Sequence, residues 1–189
     1  GVGAVVNKLK TQGLWENTLL FFLTDNGGSK AMHANNGKLR GFKGSLYEGG
    51  IRTPFIVSWP AKFKGGRTIN KPVISLDILP TVIDATNTAR LAKQKFDGKS
   101  LLPLLNENST NHHPLLFWNS GEEKSEWAVR EGKWKAHSLR GELQLFNLIK
   151  DPSEKNNIVN KEAALAKRLA ELHSNWHTKM RQSEVKLTG

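Results

Sequence analysis

The sequence predicts an α/β protein with a parallel sheet, followed by a small α+β subdomain. Apolar residues at positions 2, 5, 6 and 9 have helical spacing. The five consecutive apolar residues 19–23 are typical of a strand buried on both faces, as in a parallel sheet. Short apolar segments then recur between residues 115 and 147, as in an antiparallel meander. We therefore expect residues 1–110 to be part of a large α/β domain and residues 111–189 to form the subdomain.

The elements of the first part follow one another with recognisable stop signals. Gly13 is a candidate end for the first helix, and the strand at 19–23 runs into an Asp-Asn-Gly-Gly turn. A second buried strand is expected at 55–59, closed by proline. Residues 75–86 predict a helix in which Asp77 caps the N-terminus and a proline occupies the first turn.

The second part predicts an antiparallel sheet and one helix. Glycines 121, 132 and 141 separate the apolar segments and mark tight turns. Asn160 is a candidate cap for the last helix, whose apolar face contains Leu165, Leu169, Leu172, Trp176 and Met180. The predicted strands are 115–118, 126–130, 133–137 and 143–147.

Two groups of side chains in this second part have both a structural and a functional interpretation. Trp118, Trp127 and Trp134 fall in the predicted strands, where aromatic residues are usually core. Trp127 has polar neighbours and is the one that best suits stacking on a sugar. His112 and His113 are adjacent, but no third ligand lies near them in the sequence, so we expect no metal there.

The charge of the chain indicates an anionic partner or a solvated basic surface. The formal net charge is +11 and the sequence pI is about 10.0. Residues 30–71 contain nine Lys or Arg and one acidic residue. A basic cluster of this kind suits nucleic acid or an acidic polysaccharide, but no nucleic-acid-binding motif accompanies it. The chain has no cysteine, and no apolar run is long enough to span a membrane.

The segment that follows the first strand offers ligands for a hard cation and for an anion. Asp25 and Asn26 are adjacent oxygen donors at the carboxyl end of a strand, which suits Ca²⁺ or Mg²⁺ but also an ordinary turn. Lys43 lies between Gly41 and Gly44, in a loop where little side-chain bulk surrounds its charge. Both interpretations of Asp25-Asn26 remain open on these residues alone.

These motifs together resemble the type I, formylglycine-dependent sulfatases of the alkaline phosphatase superfamily. Asp-Asn-Gly alone is weak evidence for the family, whereas the combination of motifs is specific. The closest match covers residues 18–105. The resemblance implies the C-terminal part of an alkaline-phosphatase-like parallel-sheet sandwich and a small α+β subdomain. The residues that carry it are Asp25-Asn26-Gly27-Gly28, Asn35-Asn36, Leu39-Arg40-Gly41, Lys43, Glu48-Gly49-Gly50, Arg52, Pro54 and Trp59-Pro60.

The resemblance also implies a reaction and a site. The reaction is hydrolysis of a sulfate monoester, with sulfated carbohydrate as the expected substrate and Ca²⁺, rather than Mg²⁺, as the expected metal. Asp25 and Asn26 would be metal ligands, and Lys43 would contact a sulfate oxygen and stabilise charge in the transition state. His33 and Arg40 would contact substrate, although His33 also suits a surface loop. Export to the periplasm or outside the cell is expected.

One departure from the family limits what this chain does by itself. The family's Cys/Ser-x-Pro-x-Arg motif, which supplies the formylglycine, does not occur in the sequence. The chain begins at Gly1 within a helical pattern, so we expect an N-terminal part to supply the nucleophile and the isolated chain to be inactive. Two alternatives remain: a phosphatase or phosphodiesterase of the same superfamily, and a non-catalytic basic module that binds anionic glycans or nucleic acid.

Overall fold

The computed structural model describes residues 1–88, 95–107, 112–121 and 126–187, with side chains described as far as residue 182. These residues form two compact units. The first unit consists of residues 1–23 and 54–113, and the second of residues 24–53 and 114–189. Each has its own core, and the expected domain boundary near residue 110 stays a prediction.

Five α-helices and six strands are present in the described residues. Short 3-10 turns occur at Trp15–Asn17, Lys30–Met32 and Ser75–Asp77. The helices are α1 (Val2–Thr11), α2 (Glu48–Ile51), α3 (Ile78–Ala85), α4 (Leu102–Leu105) and α5 (Ala163–Leu187). The strands are β1 (Leu20–Leu23), β2 (Phe55–Ser58), β3 (Leu115–Asn119), β4 (Glu126–Glu131), β5 (Trp134–Leu139) and β6 (Glu142–Asn147).

The first unit contains both strands that the sequence predicted as buried strands of a parallel sheet. The strands exist, but β1 pairs with β2 antiparallel, with Leu20 opposite Ser58 and Leu23 opposite Phe55. No other described strand pairs with them, and all four residues of β1 are only half-buried. The two strands are therefore less buried than the sequence predicted, and their pairing with each other is antiparallel. A run of apolar residues encodes a strand, but it does not encode the direction of the strand's partner.

The core of the first unit is built on α4 and the residue before it. Leu101, Leu104 and Leu105 are buried. The predicted helix at 75–86 is confirmed as the 3-10 turn followed by α3. Partly buried apolar side chains complete this core, contributed by Phe21, Phe55, Val57, Phe63 and Val73.

The second unit contains the predicted antiparallel meander, with strand order β3-β4-β5-β6. Gly132 and Gly141 have φ angles of 55° and 84° and occupy the two turns that join β4 to β5 and β5 to β6. Both angles lie in the left-handed region, which glycine adopts without a steric penalty. The predicted small α+β subdomain is thus confirmed.

Helix α5 covers one face of this sheet. Ala166 and Leu169 of α5 are buried against Val129, Ala136 and Leu145, which are fully buried in β4, β5 and β6. The helix begins at Ala163, three residues after Asn160, so the prediction that Asn160 caps it is wrong. The carbonyl oxygen of Glu162 accepts the Ala166 N–H at 3.0 Å, as expected for the residue that precedes the first helical turn.

The segment 24–53 packs on the opposite face of the sheet. Tyr47 is buried with Phe146 and Leu148, and its ring meets the His137 ring edge-to-face with centroids 4.2 Å apart. The Tyr47 hydroxyl donates a hydrogen bond to Gln144 Oε1 at 2.9 Å. The Asp-Asn-Gly-Gly turn and the lysine loop therefore belong to the same unit as the meander.

Among the described residues, no helix combines the length and the apolar character that crossing a membrane requires.

The buried His137 gives the second unit a predictable response to acid. Burial lowers the pKa of His137, and the hydrogen bond between its Nε2 and Glu126 Oε1, at 2.8 Å, opposes this shift. A group whose folded pKa lies below its unfolded pKa stabilises the fold above the unfolded value, and this stability is lost as the pH falls. We expect the free energy of unfolding to decrease between about pH 7 and pH 5, by up to about 1.4 kcal/mol per pH unit for each such histidine.

His137→Gln should reduce this pH dependence when unfolding by denaturant is followed at several pH values. Some dependence will remain, because burial also lowers the pKa of His112 and of His173. Identical slopes for the variant and the parent protein would contradict the assignment of a neutral buried imidazole.

Candidate active site

The turn after β1 presents two oxygen atoms that are available to a ligand. Asp25 is exposed, and its Oδ1 accepts the backbone N–H of Asn26 at 3.0 Å. The Asn26 side-chain amide donates from Nδ2 to the Gly27 carbonyl oxygen at 2.8 Å. Among described residues, none donates a hydrogen bond to Asp25 Oδ2 or Asn26 Oδ1. These two atoms suit a hard divalent cation, which takes oxygen ligands.

Glycines lock this turn against α2 by backbone contact. The Gly27 N–H donates to the Gly50 carbonyl oxygen at 2.9 Å. A Cβ atom on Gly27 would lie 1.7 Å from the Gly49 carbonyl oxygen, and one on Gly50 would lie 2.1 Å from the Ser45 carbonyl oxygen. Both distances are far below van der Waals contact, so the two Gly-Gly pairs interlock only because neither carries a side chain.

The Lys43 loop is attached to the same turn. The Lys43 N–H donates to the Gly28 carbonyl oxygen at 3.0 Å. Asn36 bridges the two segments, since its Oδ1 accepts the Gly28 N–H at 2.9 Å and its Nδ2 donates to the Gly41 carbonyl oxygen at 3.0 Å. The Lys43 side chain itself is exposed. The structure therefore brings the backbone of Lys43 next to the residues that follow Asp25-Asn26.

His33 and Arg40 lie in the same stretch, but their surroundings differ. His33 is exposed, has a φ of 51° and ends the 3-10 turn at Lys30–Met32. Arg40 Nη1 donates to the Glu154 carbonyl oxygen at 2.9 Å, and the guanidinium carbon lies 3.9 Å from the centre of the Tyr47 ring. Arg40 thus attaches the loop to the rest of the second unit, and a direct contact with substrate stays a prediction for both residues.

A buried network of charged residues holds the first residue of α2 in place. Glu48, Lys135 and Glu154 are almost completely buried. Lys135 Nζ lies 3.0 Å from Glu48 Oε1 and 2.9 Å from Glu154 Oε1. The Glu48 N–H donates to Glu154 Oε2 at 2.6 Å. Glu48 also lies 3.9 Å from Arg52, four residues along the chain, and equally close to Arg130.

No sequence pattern indicated a role for Lys135 or Glu154. Lys135 is 87 residues from Glu48 along the chain, and no local pattern connects them. Burial raises the pKa of Glu154, and the neighbouring Lys135 ammonium opposes this shift. The network is structural in this arrangement, because Glu48, Lys135 and Glu154 are shielded from solvent.

Comparison with known proteins gives these motifs a family. The Sulfatase family model matches residues 1–88. Arylsulfatase from Hemicentrotus pulcherrimus is 36% identical over 139 residues, and human arylsulfatase A is 37% identical over 142 residues. Residues 1–88 are therefore similar to the sulfatase family. Each alignment covers 72% of this chain but only 25% and 28% of the respective relative, so the chain spans about a quarter of the curated sulfatases it matches.

Solved structures extend the similarity to almost the whole chain. The crystal structure of Ps i-CgsB in complex with k-i-k-neocarrahexaose matches with a TM-score of 0.84 and 32% identity, covering 93% of this chain and 40% of that chain. The structure of BT4656 in complex with D-glucosamine-2-N,6-O-disulfate shares the fold, with a TM-score of 0.75, 23% identity and coverage of 96% and 38%. The expected sulfatase fold is confirmed, and the family indicates a metal site.

A second group of possible metal ligands lies in the first unit. Asp77, His112 and His113 are buried and offer ligand atoms within 4.8 Å of one another. Asp77 accepts hydrogen bonds from both imidazole Nε2 atoms, from the Ile74 N–H at 3.0 Å and from the Lys99 N–H at 2.8 Å. Four donors saturate its two oxygens, so we interpret Asp77 as a cap and a structural hub.

Asp77 makes no side-chain cap hydrogen bond to α3, but its carboxylate accepts the Ile74 N–H at the start of the preceding 3-10 turn. The contact of Asp77 with the two histidines was missed. A separation of 35 and 36 residues along the chain carries no spacing signal. The adjacent histidines were noticed in the sequence, but their third neighbour comes from the fold.

The interlocked glycines allow a sharp prediction about stability. Gly27→Ala should lower the free energy of unfolding by about 3 kcal/mol, because the new methyl group meets a backbone carbonyl that no rotamer change can move. Gly65→Ala is the matched control, since a Cβ atom on Gly65 would have no atom within 4 Å and the residue has no positive φ. Denaturant unfolding of both variants measures the difference, and equal stabilities would contradict the interlock.

Proposed function

We propose that the protein containing this chain hydrolyses sulfate monoesters and that residues 24–53 supply part of its active site. The observation that carries the proposal is the hydrogen bond from the Lys43 N–H to the Gly28 carbonyl oxygen, at 3.0 Å. It joins the lysine loop to the turn that presents Asp25 and Asn26. A cation site and an anion-binding side chain then lie on adjoining segments, as a reaction on a sulfate ester requires.

Asp25 and Asn26 would hold a divalent cation, with Ca²⁺ as the expected ion. The two oxygen atoms that accept no hydrogen bond from a described residue fit this role. Ca²⁺ takes six to eight oxygen ligands in flexible geometry, whereas Mg²⁺ demands a near-ideal octahedron. The remaining ligands would come from other parts of the intact protein. Such an ion supplies Lewis-acid polarisation of a sulfate oxygen.

Lys43 would stabilise the negative charge that develops on the sulfate oxygens. Its ammonium group is a compact charge on an exposed side chain. A donor aimed at developing charge contributes more to the rate than to ground-state binding. The nucleophile, formylglycine by family resemblance, would be supplied by another part of the intact protein, and His33 and Arg40 are candidate substrate contacts.

The proposed substrate is a sulfated glycan. Three lysines of the second unit, Lys30, Lys38 and Lys43, are exposed along the segment that carries the site, and an exposed basic stretch attracts a polyanion. The similar proteins Ps i-CgsB and BT4656 were solved with k-i-k-neocarrahexaose and with D-glucosamine-2-N,6-O-disulfate. We infer a periplasmic or secreted location, because such polysaccharides lie outside the cytoplasm, and we propose no nucleic acid as partner.

Asp25→Ala and Lys43→Ala test the proposed site in the intact protein. Each should reduce kcat/KM for a small aryl sulfate by about 10²-fold or more, since each removes a group that acts on the charge of the transition state. Asp25→Ala should also weaken Ca²⁺ binding measured by calorimetry, and Lys43→Ala should not. Lys38→Ala is the control, because Lys38 is an exposed lysine of the same segment.

Three outcomes would contradict the proposal. Unchanged turnover in Asp25→Ala would contradict the cation site. Equal losses in Lys38→Ala and Lys43→Ala would show that Lys43 acts only through general electrostatics. Faster hydrolysis of an aryl phosphate than of the matching aryl sulfate by the intact protein would favour the phosphatase alternative.

The purified 189-residue chain by itself should hydrolyse neither sulfated neocarrahexaose nor an aryl sulfate. It carries two of the expected metal ligands and no formylglycine motif. Measurable turnover above the level of a Lys43→Ala chain prepared in parallel would show that the chain has a nucleophile of its own.

A further inference from the structure

A cleft of about 860 Å³ lies in the second unit, where the start of β4 meets α5. Trp127 on β4 and His173, Trp176 and His177 on α5 line it, together with Asn119 and Glu126. We refer to this site, defined by these six residues, as the aromatic cleft. Its volume lies in the range of about 300–1,000 Å³ that is usual for ligand sites, and none of the residues proposed for catalysis lines it.

Each tryptophan of the aromatic cleft stacks on a neighbouring ring. The rings of Trp127 and His173 stack with centroids 4.4 Å apart and planes 15° apart. The rings of Trp176 and Phe117 stack at 5.1 Å and 5°. His173 Nε2 also lies 3.2 Å from the Trp118 carbonyl oxygen. The aromatic surfaces are therefore fixed before a ligand arrives, which lowers the entropy cost of binding.

Polar groups accompany these rings. Asn119 Oδ1 accepts the Gly121 N–H at 2.9 Å, which orients the amide and directs its NH₂ group away from that bond. The Ser174 hydroxyl and the half-buried His177 also line the cleft. Burial lowers the pKa of His173, so the imidazole that backs Trp127 is neutral near pH 7.

This combination matches the chemistry of a pyranose ring. Such a ring presents C–H groups on its faces and hydroxyl groups at its edge, so an aromatic face and a few oriented polar groups bind it together. We propose that the aromatic cleft is a carbohydrate-binding subsite for a sugar unit of the glycan other than the one whose sulfate reacts. Its role in turnover rests on the sulfatase function proposed above, whereas sugar binding does not.

One residue connects the aromatic cleft with the lysine loop. Glu126 lines the cleft, and its Oε1 accepts the Leu46 N–H at 2.9 Å. Leu46 is three residues beyond Lys43. The cleft lies on the α5 side of the sheet and the lysine loop on the other side, so a ligand that reached both would have to pass the start of β4. A monosaccharide or a small aryl sulfate is too short to use both.

The test measures binding of desulfated neocarrahexaose to the intact protein by isothermal titration calorimetry. The probe carries no sulfate and reports on the cleft without the reaction. Trp127→Leu and His177→Ala should each weaken its binding by about tenfold. Trp134→Leu is the matched control, because Trp134 and Trp127 both pack partly buried against the same core but Trp134 does not line the cleft.

The kinetic part compares long and short substrates. Trp127→Leu and His177→Ala should lower kcat/KM for sulfated neocarrahexaose by about tenfold and leave kcat/KM for an aryl sulfate unchanged, which also shows that the variants are folded. His177→Ala removes a side chain outside the core cluster, and it keeps the test valid if Trp127→Leu is unstable.

The outcomes separate this inference from the proposed function. Binding of the desulfated probe that only the cleft variants lose supports the subsite, and it does so even if no sulfate ester is hydrolysed. Absence of binding to the parent protein, or equal weakening in Trp134→Leu, overturns the subsite while hydrolysis of sulfate esters continues to support the proposed function.

Discussion

The second unit depends on one ammonium group that has no access to water. Lys135 lies on β5, fully buried between the carboxylates of Glu48 and Glu154. Removing such charges from water costs several kcal/mol for each ion, and good geometry is needed to offset this cost. Loss of one partner typically destabilises a buried pair by about 3–5 kcal/mol, because a charge is left without compensation. The sheet and α2 therefore stay together or unfold together.

The ion network also determines where the proposed site lies. Glu48 is the first residue of α2, so the contact with Lys135 fixes this short helix on the sheet. Gly49 and Gly50 follow immediately and interlock with Gly27, which in turn follows Asp25-Asn26. The buried contact between Glu48 and Lys135 therefore helps to fix the exposed Asp25-Asn26 turn through a series of backbone contacts. Backbone contacts tolerate little displacement, and a metal ligand needs such support from the residues around it.

Local sequence patterns predicted the helices and strands, but they did not predict contacts between residues that are distant along the chain. The meander was predictable because apolar segments alternate with glycines whose positive φ angles the turns require. Lys135 was not, because a charged residue within a strand ordinarily predicts a solvent-facing position. Asn36 bridges Gly28 and Gly41, a role that its neighbours in the sequence do not indicate. The antiparallel direction of β2 also depends on the path of the chain between β1 and β2, which the composition of the strand does not encode.

The contrast between Asp25 and Asp77 shows why counting acidic residues identifies a site poorly. Asp77 has two histidines beside it and looks more like a metal ligand than Asp25 does. Yet four N–H groups already occupy its oxygens, and a cation would have to displace at least two of them in a buried place. Asp25 accepts one backbone N–H and is exposed. A cation requires an accessible oxygen that can still accept a ligand bond and that a rigid backbone holds in place. Of these two aspartates, only Asp25 offers such an oxygen.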